Sequence, residues 1–232
     1  MVMDIWKPSA VYLWKNKERT MKNFMILGDS YSTYAGCIPE GYAVYYCKEG
    51  REGSPATKME KEETWWMRLI AKTGANLVLN NSWSGSTIGY TSYEGRDVSM
   101  SASYIYRFRQ LVRRGFFQKN EIDTLLVFGG TNDSWSDAPL GEMKLNDFVE
   151  KDFYTVLPSI CYLMKTIRED LPDKRIVFIA NCDIKEEIVS CMKEAGAHFG
   201  VEVITLHDVE KVSGHPNPNG MAQIAEQVYA AL

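Results

Sequence analysis

Five short, continuous apolar runs recur along the chain, at 24–28 (FMILG), 76–80 (NLVLN), 123–129 (DTLLVFG), 175–180 (RIVFIA) and 201–206 (VEVITL). Continuous rather than alternating apolar character suits strands buried on both faces. Amphipathic stretches lie at 62–73, 101–118, 146–170, 184–199 and 218–231. Alternating strand and helix patterns predict an α/β fold, with a parallel sheet covered by helices on both sides. Two connections exceed ordinary turns. Residues 31–61 carry Gly36, Gly41, Gly50, Gly53, Pro39 and Pro55, and residues 81–100 are rich in Ser, Gly, Thr and Tyr. Loops this long are more often functional than idle, and both follow predicted strands at the carboxyl edge, where open α/β sheets bind ligands.

Length is consistent with this picture. At 232 residues the chain suits a single α/β domain with a full core of its own. The N-terminal 20 residues lack a basic segment followed by an apolar one, because Asp4, Lys7 and Pro8 interrupt them, so they do not read as a signal peptide. Met21-Lys22-Asn23 reads as an original start, with 1–20 as an extension and 21–232 as the domain. No run of 18 apolar residues predicts a membrane span. The net charge of −4, with both signs interspersed, argues against nucleic acid as partner. Cys37, Cys47, Cys161, Cys182 and Cys191 form no CxxC pair. They read as free thiols in a reducing compartment, hence a cytoplasmic location. No repeat or low-complexity tract breaks the pattern.

The candidate chemistry sits at predicted strand ends. Gly28-Asp29-Ser30 follows the first run, Ser84-Gly85-Ser86-Thr87 the second and Gly130-Thr131-Asn132-Asp133 the third. Gly214-His215-Pro216-Asn217 precedes the last helix. Parallel topology brings the first three loops to one edge. A serine hydroxyl needs a base to become a nucleophile, and histidine is the usual base near neutral pH. The oxyanion of acyl transfer needs fixed donors, such as backbone N–H groups and an Asn amide. Ser30, His215, the Gly85 N–H and the Asn132 amide fill these roles. Asp29 reads as a brace for the turn. Three scattered histidines without HxxH spacing predict no metal site; His207 reads as a structural histidine ending a buried strand and His198 as a helix-surface residue.

These four blocks, in this order across residues 24–220, resemble the SGNH (GDSL-type) hydrolase family. The resemblance implies a three-layer α/β/α flavodoxin-like fold with a five-stranded sheet. It also implies a Ser-His esterase or acylhydrolase without cofactor, acting on small-molecule esters of short acyl groups, including acetyl groups on carbohydrate. By it Ser30 and His215 are catalytic, and the N–H groups of Ser30 and Gly85 with the Asn132 side chain form the oxyanion hole. One position departs from the family. Its usual DxxH acid is here Val212, in Val212-Ser213-Gly214-His215. In the serine-protease template, disabling that acid costs about 10⁴ in kcat. Asp208 is the first candidate to orient His215 instead, followed by Glu210 and Asp183. A backbone carbonyl, giving a Ser-His dyad, is the other arrangement. The missing acid also keeps open a non-catalytic carbohydrate-binding role. A flavin or nucleotide binder on the same sheet edge lacks a phosphate-binding glycine loop. Tyr31, Trp83 and Trp135 lie in or beside the blocks and are expected to line the substrate cleft; Trp65 and Trp66 are expected in the core.

Overall fold

The computed structural model describes residues 21–232, and the extension expected over 1–20 lies outside the described residues. Five parallel strands are present: β1 (Asn23–Gly28), β2 (Asn76–Ser82), β3 (Thr124–Gly129), β4 (Arg175–Ala180) and β5 (Glu202–Thr205). They pair in the order β2-β1-β3-β4-β5. All five lie where the apolar runs predict them. In β1, Met25 and Leu27 face one core while Phe24 and Ile26 face the other, and β3 and β4 alternate in the same way. This two-sided burial is why their runs are continuous.

Among the described residues there are seven α-helices: α1 (Trp65–Thr73), α2 (Tyr104–Arg113), α3 (Phe116–Lys119), α4 (Thr131–Trp135), α5 (Val156–Asp170), α6 (Glu186–Phe199) and α7 (Pro218–Ala231). Helices α2, α5 and α6 pack on one face of the sheet and α1 and α7 on the other. The three layers and the parallel sheet match the predicted fold class. Trp65 and Trp66 are buried in the α1/α7 core.

Two expected helices are shorter. The stretch 101–118 breaks at Gly115, which takes φ +66° and caps α3. The stretch 146–170 is α-helical only from Val156, after a 3₁₀ turn over Glu150–Tyr154. Pro158 sits in the first turn of α5, where a proline is tolerated; further inside, its ring would meet the preceding turn.

Strand register sets the working edge. Gly28 pairs with Ser82 on one side and Phe128 on the other, and Gly129 pairs with Ala180. The loops after β1, β2 and β3 therefore leave the sheet side by side. The strand order reverses between β1 and β3, the crevice where such sheets bind ligands.

Candidate active site

Ser30 opens one 3₁₀ turn, Ser30–Ser32, directly after β1. Asp29 caps it, its Oδ1 accepting the Tyr31 N–H at 3.0 Å. Asp29 is wholly enclosed, and its Oδ2 has no hydrogen-bond partner among the described residues. Burial pushes this carboxyl up to about 7.

His215 arrives from the other end of the chain. Lys211–Val212 (β6) and His215–Pro216 (β7) form a small antiparallel hairpin. Ser213 and Gly214 turn it at φ +51° and +77°. Asn217 then caps α7 by accepting the Gly220 N–H at 2.9 Å, with Pro218 in the first helical turn. His215 Nε2 comes to 2.9 Å from Ser30 Oγ. Its Nδ1 lies 3.3 Å from the Ser213 carbonyl oxygen. Three tyrosines fix the hairpin around it. Tyr31 donates its hydroxyl to the Gly214 carbonyl at 2.5 Å, and Tyr46 donates to the Pro216 carbonyl at 2.7 Å. The Tyr45 ring stacks on the imidazole at 3.7 Å and 9°. Burial pushes the His215 ring down to about 4; the Ser213 carbonyl opposes this, and the charges of Arg51 and Lys211 add to it. At neutral pH the ring is uncharged and able to accept a proton.

Asp208 is not among the residues brought together, which corrects the expectation that it orients His215. It sits at φ +49°. Its carboxylate meets His207 Nδ1 at 3.0 Å, and its side chain is 94% exposed. Asp183 pairs with Lys211 at 3.2 Å, and Glu210 accepts from Asn217 and Asn219. The ring nitrogen facing away from Ser30 therefore meets a backbone carbonyl rather than an acid. His207 also departs from expectation: β5 ends at Thr205 and the His207 side chain is solvent-exposed. His198 is exposed on α6 as expected.

Gly85 and Asn132 lie in the segments after β2 and β3; Asn132 is hydrogen-bonded to Ser86, whose Oγ donates to the Gly28 carbonyl just before Ser30. Gly85 takes φ +79°, and a side chain there would meet open space, so conformation rather than crowding calls for glycine. Asn132 lies in α4, which follows Gly130 at φ +91°. Its Nδ2 donates to the Ser86 carbonyl at 2.9 Å, and its Oδ1 accepts from the Tyr93 hydroxyl at 2.8 Å. The amide is thus held with its nitrogen toward the Gly85-Ser86 loop. Asp133 locks the same two loops together, accepting from the N–H groups of Ile88 at 2.9 Å and Gly89 at 3.3 Å. Burial raises its carboxyl to about 6.

The aromatics divide. Tyr31, expected to line the cleft, is fully buried and serves the hairpin turn instead. Trp135 is partly exposed and sets its edge against His215 at 5.8 Å and 70°. Trp83 is half-buried and packs on Tyr42 at 4.2 Å. Sequence reasoning passed over Tyr45, Tyr46, Tyr93 and Arg107. Arg107 left a readable signal: with Tyr104, Phe108 and Leu111 it falls at the spacing of the buried face of α2.

The sequence model of the GDSL-like lipase/acylhydrolase family matches residues 22–232. A crystal structure described as a GDSL-like lipase from Bacteroides ovatus is 34% identical, superposes with a TM-score of 0.83, and covers 92% of this chain and 98% of its own. Another, from Bacteroides uniformis, is 39% identical with a TM-score of 0.80, covering 91% and 95%. A family two carbohydrate esterase from Clostridium thermocellum, solved with cellohexaose, shares the fold at 15% identity and a TM-score of 0.59, over 90% of this chain and 63% of its own. A search of curated proteins returned no match.

Proposed function

From the premise that this chain belongs to the GDSL-like lipase/acylhydrolase family, and is therefore an esterase or acylhydrolase, we propose that Ser30 and His215 hydrolyse short acyl esters as a dyad. The observation that carries this is the 2.9 Å contact between Ser30 Oγ and His215 Nε2. His215 takes the serine proton as Oγ attacks the ester carbonyl. The N–H groups of Ser30 and Gly85 and the Asn132 amide meet the resulting oxyanion. The alcohol leaves with the proton from His215. Water then gives its proton to His215 and cleaves the acyl-enzyme, releasing acid and free Ser30.

In this reading the Ser213 carbonyl accepts the Nδ1–H and selects the tautomer with Nε2 free, the task an acid performs in a triad. A neutral carbonyl stabilises the imidazolium less than a carboxylate does. The stacked Tyr45 and the hydroxyls of Tyr31 and Tyr46 compensate by holding the ring in place. Trp135 beside His215, and the Trp83–Tyr42 pair beside the Gly85 loop, offer ring faces suited to a sugar. They support acetylated carbohydrate as substrate. A cytoplasmic setting belongs to the same reading and suits cysteines that are all free thiols. Among the described residues no helix is long and apolar enough to cross a membrane.

The test is hydrolysis of p-nitrophenyl acetate together with fluorophosphonate labelling. Wild-type protein should turn over the ester and label at Ser30. Ser30→Ala should lose both while keeping its circular dichroism spectrum. Turnover that survives Ser30→Ala removes the assignment.

A further inference from the structure

Arg107 is 1% exposed, and every proton of its guanidinium is used. Nε donates to the Ala102 carbonyl at 2.9 Å. Nη1 donates to both the carbonyl and Oδ1 of Asn81, the latter at 2.9 Å. Nη2 donates to the Gly28 carbonyl at 3.1 Å and to Ser86 Oγ at 3.0 Å. Five donors thus meet five uncharged oxygens, and the Tyr104 ring packs 4.6 Å from the guanidinium carbon. Enclosing a cation among neutral partners costs several kcal/mol in desolvation. The cost is unusual for simple packing, and the partners indicate what it serves. Gly28 leads directly into Asp29-Ser30. Asn81 ends β2. Ser86 follows Gly85, and its own carbonyl accepts from Asn132 Nδ2.

We propose that Arg107 is a positioning residue that sets the spacing of the oxyanion hole. Its planar fork ties the strand end before Ser30 to the loop that carries Gly85 and orients Asn132. All three proposed oxyanion donors hang from partners of one rigid group. The inference rests on the Ser-His reading above. It commits to the fork rather than to the charge alone, because lysine would keep the charge and lose the five-point geometry.

Arg107→Lys, Asn132→Ala and the double variant provide the test, with kcat and KM measured on p-nitrophenyl acetate. Displaced donors weaken binding of the transition state more than of the ester. Arg107→Lys should therefore lower kcat by about 10–100-fold and leave KM within about threefold. Once the Asn132 amide is gone, the lysine variant should lose much less than it does alone, since both act on one hole. A residue that merely supports the fold would lower thermal stability without this kcat-selective, non-additive loss. Should Arg107→Lys fail to fold, Ser86→Ala deletes one of the five contacts and should give the same pattern at smaller size. Wild-type kcat in whichever of these variants folds overturns the proposal, as do losses that multiply fully in the double variant. Turnover that persists in Ser30→Ala overturns the dyad and this inference together. Turnover that needs Ser30 but ignores Arg107→Lys and Ser86→Ala overturns this inference alone.

Discussion

At the scale of single residues, the contact that matters most is the one His215 makes on its far side. Nδ1 faces the Ser213 carbonyl, and Asp208 spends its carboxylate on exposed His207. An exposed pair of this kind is worth little, and it lies outside the cluster around Ser30. Asp208→Ala should therefore leave kcat on p-nitrophenyl acetate within about twofold of wild type, the range of an exposed substitution away from the site. A loss of tenfold or more would show that Asp208 reaches His215 during turnover. The pairing of Ser30 with His215 was legible because four short blocks stand in order at strand ends and before the last helix, whereas any one block alone reads as a turn. That a backbone carbonyl could take the place of the acid was open from the sequence, but not which one, because a backbone acceptor has no residue type to betray it. Tyr45 and Tyr46 were hidden for a related reason. Loop 31–61 could be flagged by its length, but which of its rings would stack on a histidine some 170 positions later depends on tertiary closure.

At the scale of elements, all five strands were legible: β1, β3 and β4 because two-sided burial leaves a continuous apolar run, and the partly exposed edge strands β2 and β5 because an apolar stretch remains beside polar positions such as Asn76 and Glu202. The β6–β7 hairpin was not, since two-residue strands carry no periodicity, and its turn relies on Ser213 and Gly214 at positive φ. This smallest element nonetheless delivers His215. It is anchored by α7, whose first turn passes under the chain leading into β6. A side chain at Gly220 would stand 2.0 Å from the Glu210 carbonyl oxygen and 3.2 Å from Pro216 Cβ. The clash is with backbone, so it cannot be relieved by a rotamer change. Gly220→Ala should cost about 1–3 kcal/mol of stability, as overpacking does. It should also lower kcat, because Glu210 and Pro216 flank the hairpin at both ends. Urea titration and steady-state kinetics on the same preparation check the two effects. A variant as stable and as active as wild type would mean that the helix start is not held against Glu210.

At the scale of the whole molecule, the buried titratable groups make stability depend on pH in a direction that can be worked out. Burial holds Asp29 up at about 7 and Asp133 up at about 6, against 3.8 for a free aspartate. The folded protein keeps these protons where the unfolded chain has released them, so folding takes up protons and stability falls as pH rises. His215 acts in the opposite sense. Its unfolded ring binds a proton below 6.5, whereas the folded ring waits until about 4, so its contribution is lost as pH falls through that window. Between pH 4.5 and 6 two carboxyls oppose one imidazole, and folding takes up about one proton net. Stability should then decline by roughly 1 kcal/mol per pH unit as pH rises. Asp29→Asn isolates the largest contributor. Asparagine retains an oxygen to accept the Tyr31 N–H but has no proton to lose. The variant should flatten the decline between pH 5 and 7 and be more stable than wild type at pH 8, read from urea midpoints at each pH. The same slope in variant and wild type would mean that Asp29 is ionised in the folded protein. Its unpartnered Oδ2 would then require compensation from the nearby Arg107 charge, and the guanidinium that organises the oxyanion loops would also be the counter-ion of the residue before the nucleophile.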